Sequence, residues 1–159
     1  MNKEIDLGRR KALSTGGIGL LALFGGASLL RPGEALAEWN QKAFTSKAVE
    51  EALQSLGATN PEESSIFIRL TVPEIAENGA VVPVGISTSL PNVEQIAIMV
   101  DKNPNVLAAV FTIPEGTAPE VTTRVKMGKT AHVVALVKSE GKFYRTSKEV
   151  KVTAGGCGG

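Results

Sequence analysis

From Ile66 onward the sequence alternates in twos. Ile66, Ile68, Leu70 and Val72 are interleaved with Phe67, Arg69 and Thr71, the period of a strand with one buried face, because successive side chains of an extended backbone point to opposite sides. Runs rich in Val, Ile, Thr and Ala follow at 81–88, 93–101, 106–113, 121–127, 131–138 and 143–152. Between them stand ENG, LPN, KNPN, PEGTAP, GK and SEGK, segments of turn residues by type. Seven short strands at regular spacing predict an all-β sandwich whose core is aliphatic. Trp39, Phe44, Phe67, Phe111, Phe143 and Tyr144 are too scattered to form a base-stacking platform and read as core filler.

Ahead of the strands the period changes. Over 44–56, FTSKAVEEALQSL puts Val49, Ala52, Leu53 and Leu56 at helical spacing, with Thr45 or Ser46 as N-cap and Gly57 as the stop. One short amphipathic helix is expected.

The first 37 residues read as an address label. A charged opening, MNKEIDLGRRK, leads into the apolar run ALSTGGIGLLALFGGASLL, and RPGEALA supplies the small-x-small cleavage site Ala35-Leu36-Ala37. The pair Arg9-Arg10 resembles a twin-arginine (Tat) export signal, although Gly8 stands where Ser or Thr is preferred and Ala12 where Phe is common. A general secretory signal and an uncleaved membrane anchor remain open alternatives. The expected organisation is thus a signal peptide over 1–37, a helical segment over 38–57, a β-sandwich over 58–152 and a C-terminal arm over 153–159.

Twin-arginine export carries proteins already folded, often with a cofactor or partner bound. The sequence offers no cofactor site: it has one His and one Cys, and neither H-x-x-H, C-x-x-C, G-x-G-x-x-G nor a Walker loop. An exported partner is then the better reason for that route. A formal net charge of +1 gives no reason to expect a nucleic acid. No catalytic triad is readable, because His132, the only imidazole, opens a strand pattern and reads as structural. Met99 and Met127 also lie in strand runs and read as packing residues rather than copper ligands.

That leaves the end of the chain, TAGGCGG, where Gly155, Gly156, Gly158 and Gly159 surround the sole cysteine, Cys157. A free thiol is a hazard in an oxidising compartment, so it is expected to have a use. Two residues follow it instead of three, which excludes prenylation. A lipoprotein cysteine would stand at the cleavage site, where Glu38 is found. The remaining idea is a carrier, a thiol that holds a substrate while other proteins work on it. Glycines beside it remove every neighbouring Cβ and leave a thin thread that a narrow channel admits. With an ordinary thiol pKa of about 8.5, only a few per cent is thiolate at neutral pH, so activation must come from partner active sites. Charge is uneven as well: from Arg124 to Lys151 there are eight basic residues against two acidic ones.

GGCGG, the preceding SKEVKVT, the segment ENGAVVPV and LPNVEQIAIMVDKNPNVLAA, in that order, resemble the SoxY family, the sulfur-carrier subunits of bacterial thiosulfate-oxidising (Sox) systems. The resemblance covers nearly all of the chain after residue 37. It implies an immunoglobulin-like β-sandwich of about seven strands, a periplasmic location and covalent attachment of the substrate at Cys157, with no cofactor and no catalysis by the chain itself. It implies a SoxZ-like subunit as heterodimer partner, with a disulfide-linked higher oligomer left open. Further implied partners are a haem c-containing SoxAX cytochrome that conjugates thiosulfate, a manganese-dependent SoxB hydrolase that releases sulfate and, in some organisms, a sulfane dehydrogenase. Three other readings of the ending stay open: an interaction domain with an intermolecular disulfide, a ubiquitin-like carrier that uses its terminal Gly-Gly, and an envelope thiol-redox enzyme. An exported chain argues against the ubiquitin-like carrier, which needs ATP, and a redox enzyme would want a second or activated cysteine.

Overall fold

The computed structural model describes residues 40–153. Among these residues two short helices come first, α1 (Gln41–Thr45) and α2 (Val49–Ser55). Nine strands follow: β1 (Glu62–Glu63), β2 (Ile68–Thr71), β3 (Ile75–Ala76), β4 (Val82–Thr88), β5 (Val93–Val100), β6 (Leu107–Thr112), β7 (Glu120–Val125), β8 (Ala131–Ser139) and β9 (Lys142–Val152). The larger sheet has the order β1-β9-β8-β5-β6, with β3 added beside β9, and the smaller has the order β2-β4-β7. Leaving out the two-residue strands β1 and β3, the first, second and fifth long strands form one sheet and the seventh, sixth, third and fourth the other. The seven-stranded constant-type immunoglobulin sandwich groups its strands likewise except for the fourth, which there joins the first, second and fifth and here pairs with the third.

Period two decides which side chains meet. Along β5, Ile96, Ile98 and Val100 point between the sheets, while Ala97 and Met99 point away and pack under the helices. β8 repeats the pattern, with Val133, Ala135 and Val137 inside and Val134 and Leu136 on the helix side. Both strands are apolar on two faces because the large sheet has a layer on each side. Met99 and Met127 are fully buried, one in each core, as packing residues. The aromatic rings are dispersed: Phe44 and Phe143 lie on the helix side, Phe111 and Tyr144 on the inner side, and Phe67 is exposed. Truncating a fully buried residue such as Ile98 to Ala should cost about 2–5 kcal/mol.

The seven expected strands are all present with every end within two residues, and the first starts two residues late. Pairing there begins at Ile68, opposite Thr88, and Ile66 is 87% exposed instead of facing the core. Residues 65–67 form a turn, and Phe67 O accepts from the Ser89 N–H and the Thr88 hydroxyl. The single expected helix is also two. Ser46 closes α1 by turning its hydroxyl back to Lys42 O at 2.9 Å, and its own carbonyl accepts the Val106 N–H at 3.1 Å, which draws the chain to the start of β6. Ala48, with φ −125° and ψ 148°, then holds the N-cap position expected of Thr45 or Ser46. It has no side-chain oxygen to cap with, and the Glu51 carboxylate takes the Lys47 N–H instead, at 2.9 Å. Gly57 does stop the helix: at φ +79° it lets the Ala58 N–H reach Leu53 O at 2.8 Å and the Gly57 N–H reach Gln54 O at 3.0 Å.

Two tight connections fix the hairpins. Between β8 and β9, Glu140 and Gly141 both have positive φ, 51° and 74°, the two-residue turn whose twist matches the strands it joins. The segment before β4 crosses between layers. It pairs with β9 as β1, moves to the small sheet as β2, and returns to β9 as β3, parallel both times.

Candidate functional site at the end of the last strand

β9 is the longest strand, and its tip outruns β8. The β8–β9 pairing ends at Ala131↔Val150, so Lys151, Val152 and Thr153 need other partners. They have them. The Lys151 N–H donates to Glu74 O at 2.9 Å and the Thr153 N–H to Ala76 O at 3.2 Å, both across β3. On the opposite side the Val152 N–H donates to the Thr130 hydroxyl at 3.1 Å. Three consecutive amides are thus held from alternate sides, a clamp on the last three described residues. Gly79 closes it from a third direction: Met127 N–H donates to Gly79 O at 2.7 Å, and a Cβ on Gly79 would come within 3.0 Å of Val152 Cγ1.

Cys157, the expected attachment site, and Gly155, Gly156, Gly158 and Gly159 lie outside the described residues, as does the segment read as a signal peptide. Cys157 follows the last clamped residue, Thr153, by four positions. Four residues span at most about 13–14 Å between Cα atoms.

Around this root the surface is mixed. Ile75 and Val81 are 57% and 50% exposed, two of the four large apolar side chains that stand in solvent among the described residues. The other two, Ile66 and Phe67, sit by Thr88 and Ser89 at the far end of β4. Lys126, Lys129 and Lys151 are exposed near the root and make no ion pair among the described residues, while Glu74 and Glu77 are exposed beside them. Of the other basic residues after Thr123, Lys138 pairs with Glu94 at 2.6 Å and Arg145 with Glu63. The Lys138 hydrogen bond, then the Gly141 N–H, holds the Glu94 carboxyl below its ordinary range.

His132 lies elsewhere, on the helix-covered face. Its N–H donates to Asp101 Oδ1 at 2.9 Å and its Nδ1 stands 3.3 Å from Asp101 Oδ2, tying the start of β8 to the end of β5. The ring borders a cleft of about 400 Å³ that it shares with Lys47, Glu63, Asp101, Lys102 and Arg145. Among the described residues, no Ser or Thr side chain is hydrogen-bonded to it. The clamp residues Glu74, Ala76, Gly79 and Thr130 had no signal in the sequence beyond the turn letters ENG and GK.

The family model for "Sulfur oxidation protein SoxY" matches residues 52–157. Among solved structures, the sulfur carrier protein SoxY from Chlorobium limicola f thiosulfatophilum is 39% identical with a TM-score of 0.59, over 65% of this chain and 94% of that one. An engineered protein overlaps at 10% identity and a TM-score of 0.39, over 57% of this chain and 21% of that one, a likeness that carries no argument. No curated protein matches the chain significantly.

Proposed function

This chain belongs to the SoxY family of sulfur oxidation proteins, and from that premise we propose that it is a periplasmic sulfur carrier that holds its cargo covalently on Cys157 and presents it to partner enzymes. The observation that supports this most is the clamp: the last strand is held at Lys151, Val152 and Thr153, and the sole thiol follows four residues later. A carrier needs that division between a fixed root and a reach beyond the core.

The chemistry is a disulfide-forming conjugation. Cys157 loses its thiol proton, the outer sulfur of thiosulfate bonds to Sγ, and two electrons pass to a haem-containing partner of the SoxAX type, leaving Cys–S–S–SO3⁻. Water then attacks the terminal sulfone in a SoxB-type hydrolase, giving sulfate, a persulfide on Cys157 and protons. In this reading the chain supplies the anchored sulfur and its partners supply the redox and hydrolytic chemistry, so it acts as substrate-bearing component and not as enzyme.

A SoxZ-like subunit fits as the co-exported partner of a twin-arginine substrate. β6 supports an interface on the fold. It is an outer strand of the large sheet, and Leu107–Thr112, LAAVFT, has no charge, proline or glycine to guard it. The other edges carry Arg69, Glu120 and Arg124, or are shielded by β1 and β3. Unguarded edges invite another strand. The Ile113 N–H donates inward to Glu94 O at 3.0 Å, so by alternation the backbone groups of Val110 and Thr112 face outward.

Intact-mass measurement of the protein from thiosulfate-grown cells tests the reading. Adducts of one or more sulfur atoms should appear and vanish on reduction, and Cys157→Ser should carry none. Adducts that persist in Cys157→Ser would overturn it.

A further inference from the structure

We propose that Asn78 is a modification site, where a slow spontaneous deamidation is gated by the contacts that seat Gly79 against Met127 and Val152. The inference stands apart from the carrier reading.

The sequence supplies the chemistry. Asn78 is the one asparagine of the chain that a glycine follows. An asparagine amide is lost when the backbone nitrogen of the next residue attacks its Cγ, and glycine offers that nitrogen with no Cβ to hinder the approach and with the widest backbone freedom. The N–Cγ bond forms as the Cγ–Nδ2 bond breaks, the proton of the attacking amide leaves with Nδ2 as ammonia, and a succinimide ring remains. Water then opens the ring at one of its carbonyls. Opening at Cγ gives aspartate, and opening at the main-chain carbon gives isoaspartate, whose backbone runs through Cβ and Cγ. No electrons are transferred, and water is the only co-reactant.

The fold supplies exposure and reach. Asn78 is exposed. Its Oδ1 accepts the Ala80 N–H at 2.9 Å and its main-chain oxygen accepts the Val81 N–H at 3.4 Å, an Asx turn. The turn curls the side-chain amide over the Gly79 peptide and lays Cγ beside the nitrogen it must meet.

The fold also supplies the gate. Ring closure swings the Gly79 nitrogen toward Cγ by rotation about the Asn78 backbone, and Gly79 Cα travels with it. Gly79 is buried and its oxygen takes the Met127 N–H at 2.7 Å. A Cβ on it would collide with Met127 O and lie 3.0 Å from Val152 Cγ1, so the glycine has no room to move while these contacts hold. The reaction waits for a local opening, and its rate follows the population of the open form when reclosing is fast. The product then undoes the gate. Isoaspartate lengthens the main chain by a methylene just ahead of Gly79 and adds a carboxylate beside Glu77, which displaces the glycine from its seat on Val152 and loosens the clamp.

The experiment incubates the folded protein at mildly alkaline pH and follows the peptide that holds Asn78 by mass spectrometry, with isoaspartyl methyltransferase to count isoaspartate. Folded wild type should deamidate at Asn78 at least about tenfold more slowly than the chain unfolded in urea, because a closed local unit protects what it holds. Val152→Ala removes the methyl groups that press on Gly79 and should raise the folded rate about threefold, the effect of more frequent local opening, with the unfolded rate unchanged. Thr130→Val, which takes away the hydroxyl that holds the Val152 N–H, should act in the same direction. Asn78→Gln should carry no isoaspartate at this position. Deamidated protein, once separated, should exchange the Val152 and Thr153 amides faster than unmodified protein. Equal rates in the folded and unfolded chains, or a folded rate that both Val152→Ala and Thr130→Val leave unchanged, would overturn the gate. A folded chain that stays intact at Asn78 while the unfolded chain converts fully would overturn the modification site itself.

Discussion

Gly79 and Met127 meet backbone to backbone: the Met127 N–H donates to Gly79 O at 2.7 Å, and a Cβ built on Gly79 would collide with the Met127 carbonyl oxygen. The colliding atom is main chain, so no side chain can rotate out of the way. The same Cβ would press on Val152, the second of the three clamped residues. Gly79→Ala should therefore destabilise the fold by about 1–3 kcal/mol, the usual scale for overpacking. Thermal melts should show a lower midpoint than wild type, and amide exchange should speed up at Val152 and Thr153. Ala at Gly128, where a Cβ would meet nothing within 4 Å, should leave both unchanged.

Glu94 gives a pH-dependent test of the β8–β9 hairpin. Its carboxylate accepts from Lys138 Nζ at 2.6 Å and from the Gly141 N–H at 2.9 Å, and these contacts lower its pKa. A depressed folded pKa adds stability above the unfolded value, which is about 4.3 for Glu, and that contribution is lost as pH falls through the folded value. Glu94→Gln should thus melt lower than wild type at pH 7, and the gap should close in acid below the ordinary carboxylate range. A gap independent of pH would mean that the ion pair contributes nothing. The group is exposed, so the effect should be small and should shrink in salt.

The long strands were legible because a half-buried sheet imposes period two directly on sequence, and IAIMV and VVALV are continuous because β5 and β8 are covered on both faces. The break between α1 and α2 was not legible. It depends on Ser46 O reaching Val106, 60 positions away in sequence, and a helical pattern read locally runs straight through it. Ile66 was misplaced for a related reason, since alternation continues past the point where the partner strand ends at Thr88. Of the candidate site, the sequence displayed the thiol and its glycines but not the root. β1 and β3 have two residues each, too few to show a period, and the Thr130–Val152 bond joins residues 22 apart.

Val110 tests the open edge. A lysine there would place a charge in the middle of the one long edge that has none among the described residues, the means by which natural sheets prevent edge pairing. Val110→Lys should keep its fold, because the residue is only half-buried, with a melting temperature lowered by a few degrees. Association with a SoxZ-like subunit should weaken by at least tenfold in titration calorimetry or gel filtration. Undiminished binding would place that subunit on another surface.

The position of Thr153 makes the length of the arm a quantity that can be varied. Deleting Ala154 and Gly155 removes two of the residues between the clamp and Cys157 and shortens the span by about 7 Å, half of what is there. The clamp itself uses Glu74, Ala76 and Thr130 and is left intact. The melting temperature should therefore stay within error, while conjugation and sulfate release slow by tenfold or more, most at the partner that buries its active site deepest. Gly156→Val and Gly158→Val keep the length but put a branched side chain beside the sulfur and narrow the allowed backbone angles. They should slow both steps with no change in reach. Adding two glycines should be mild, because effective concentration falls only slowly once a linker spans its target. Single-turnover rates separate the cases: loss on shortening alone points to reach, and loss in the valine variants alone points to the width of the channel. Normal rates in all of them would show that neither the length nor the thinness of the segment matters to transfer.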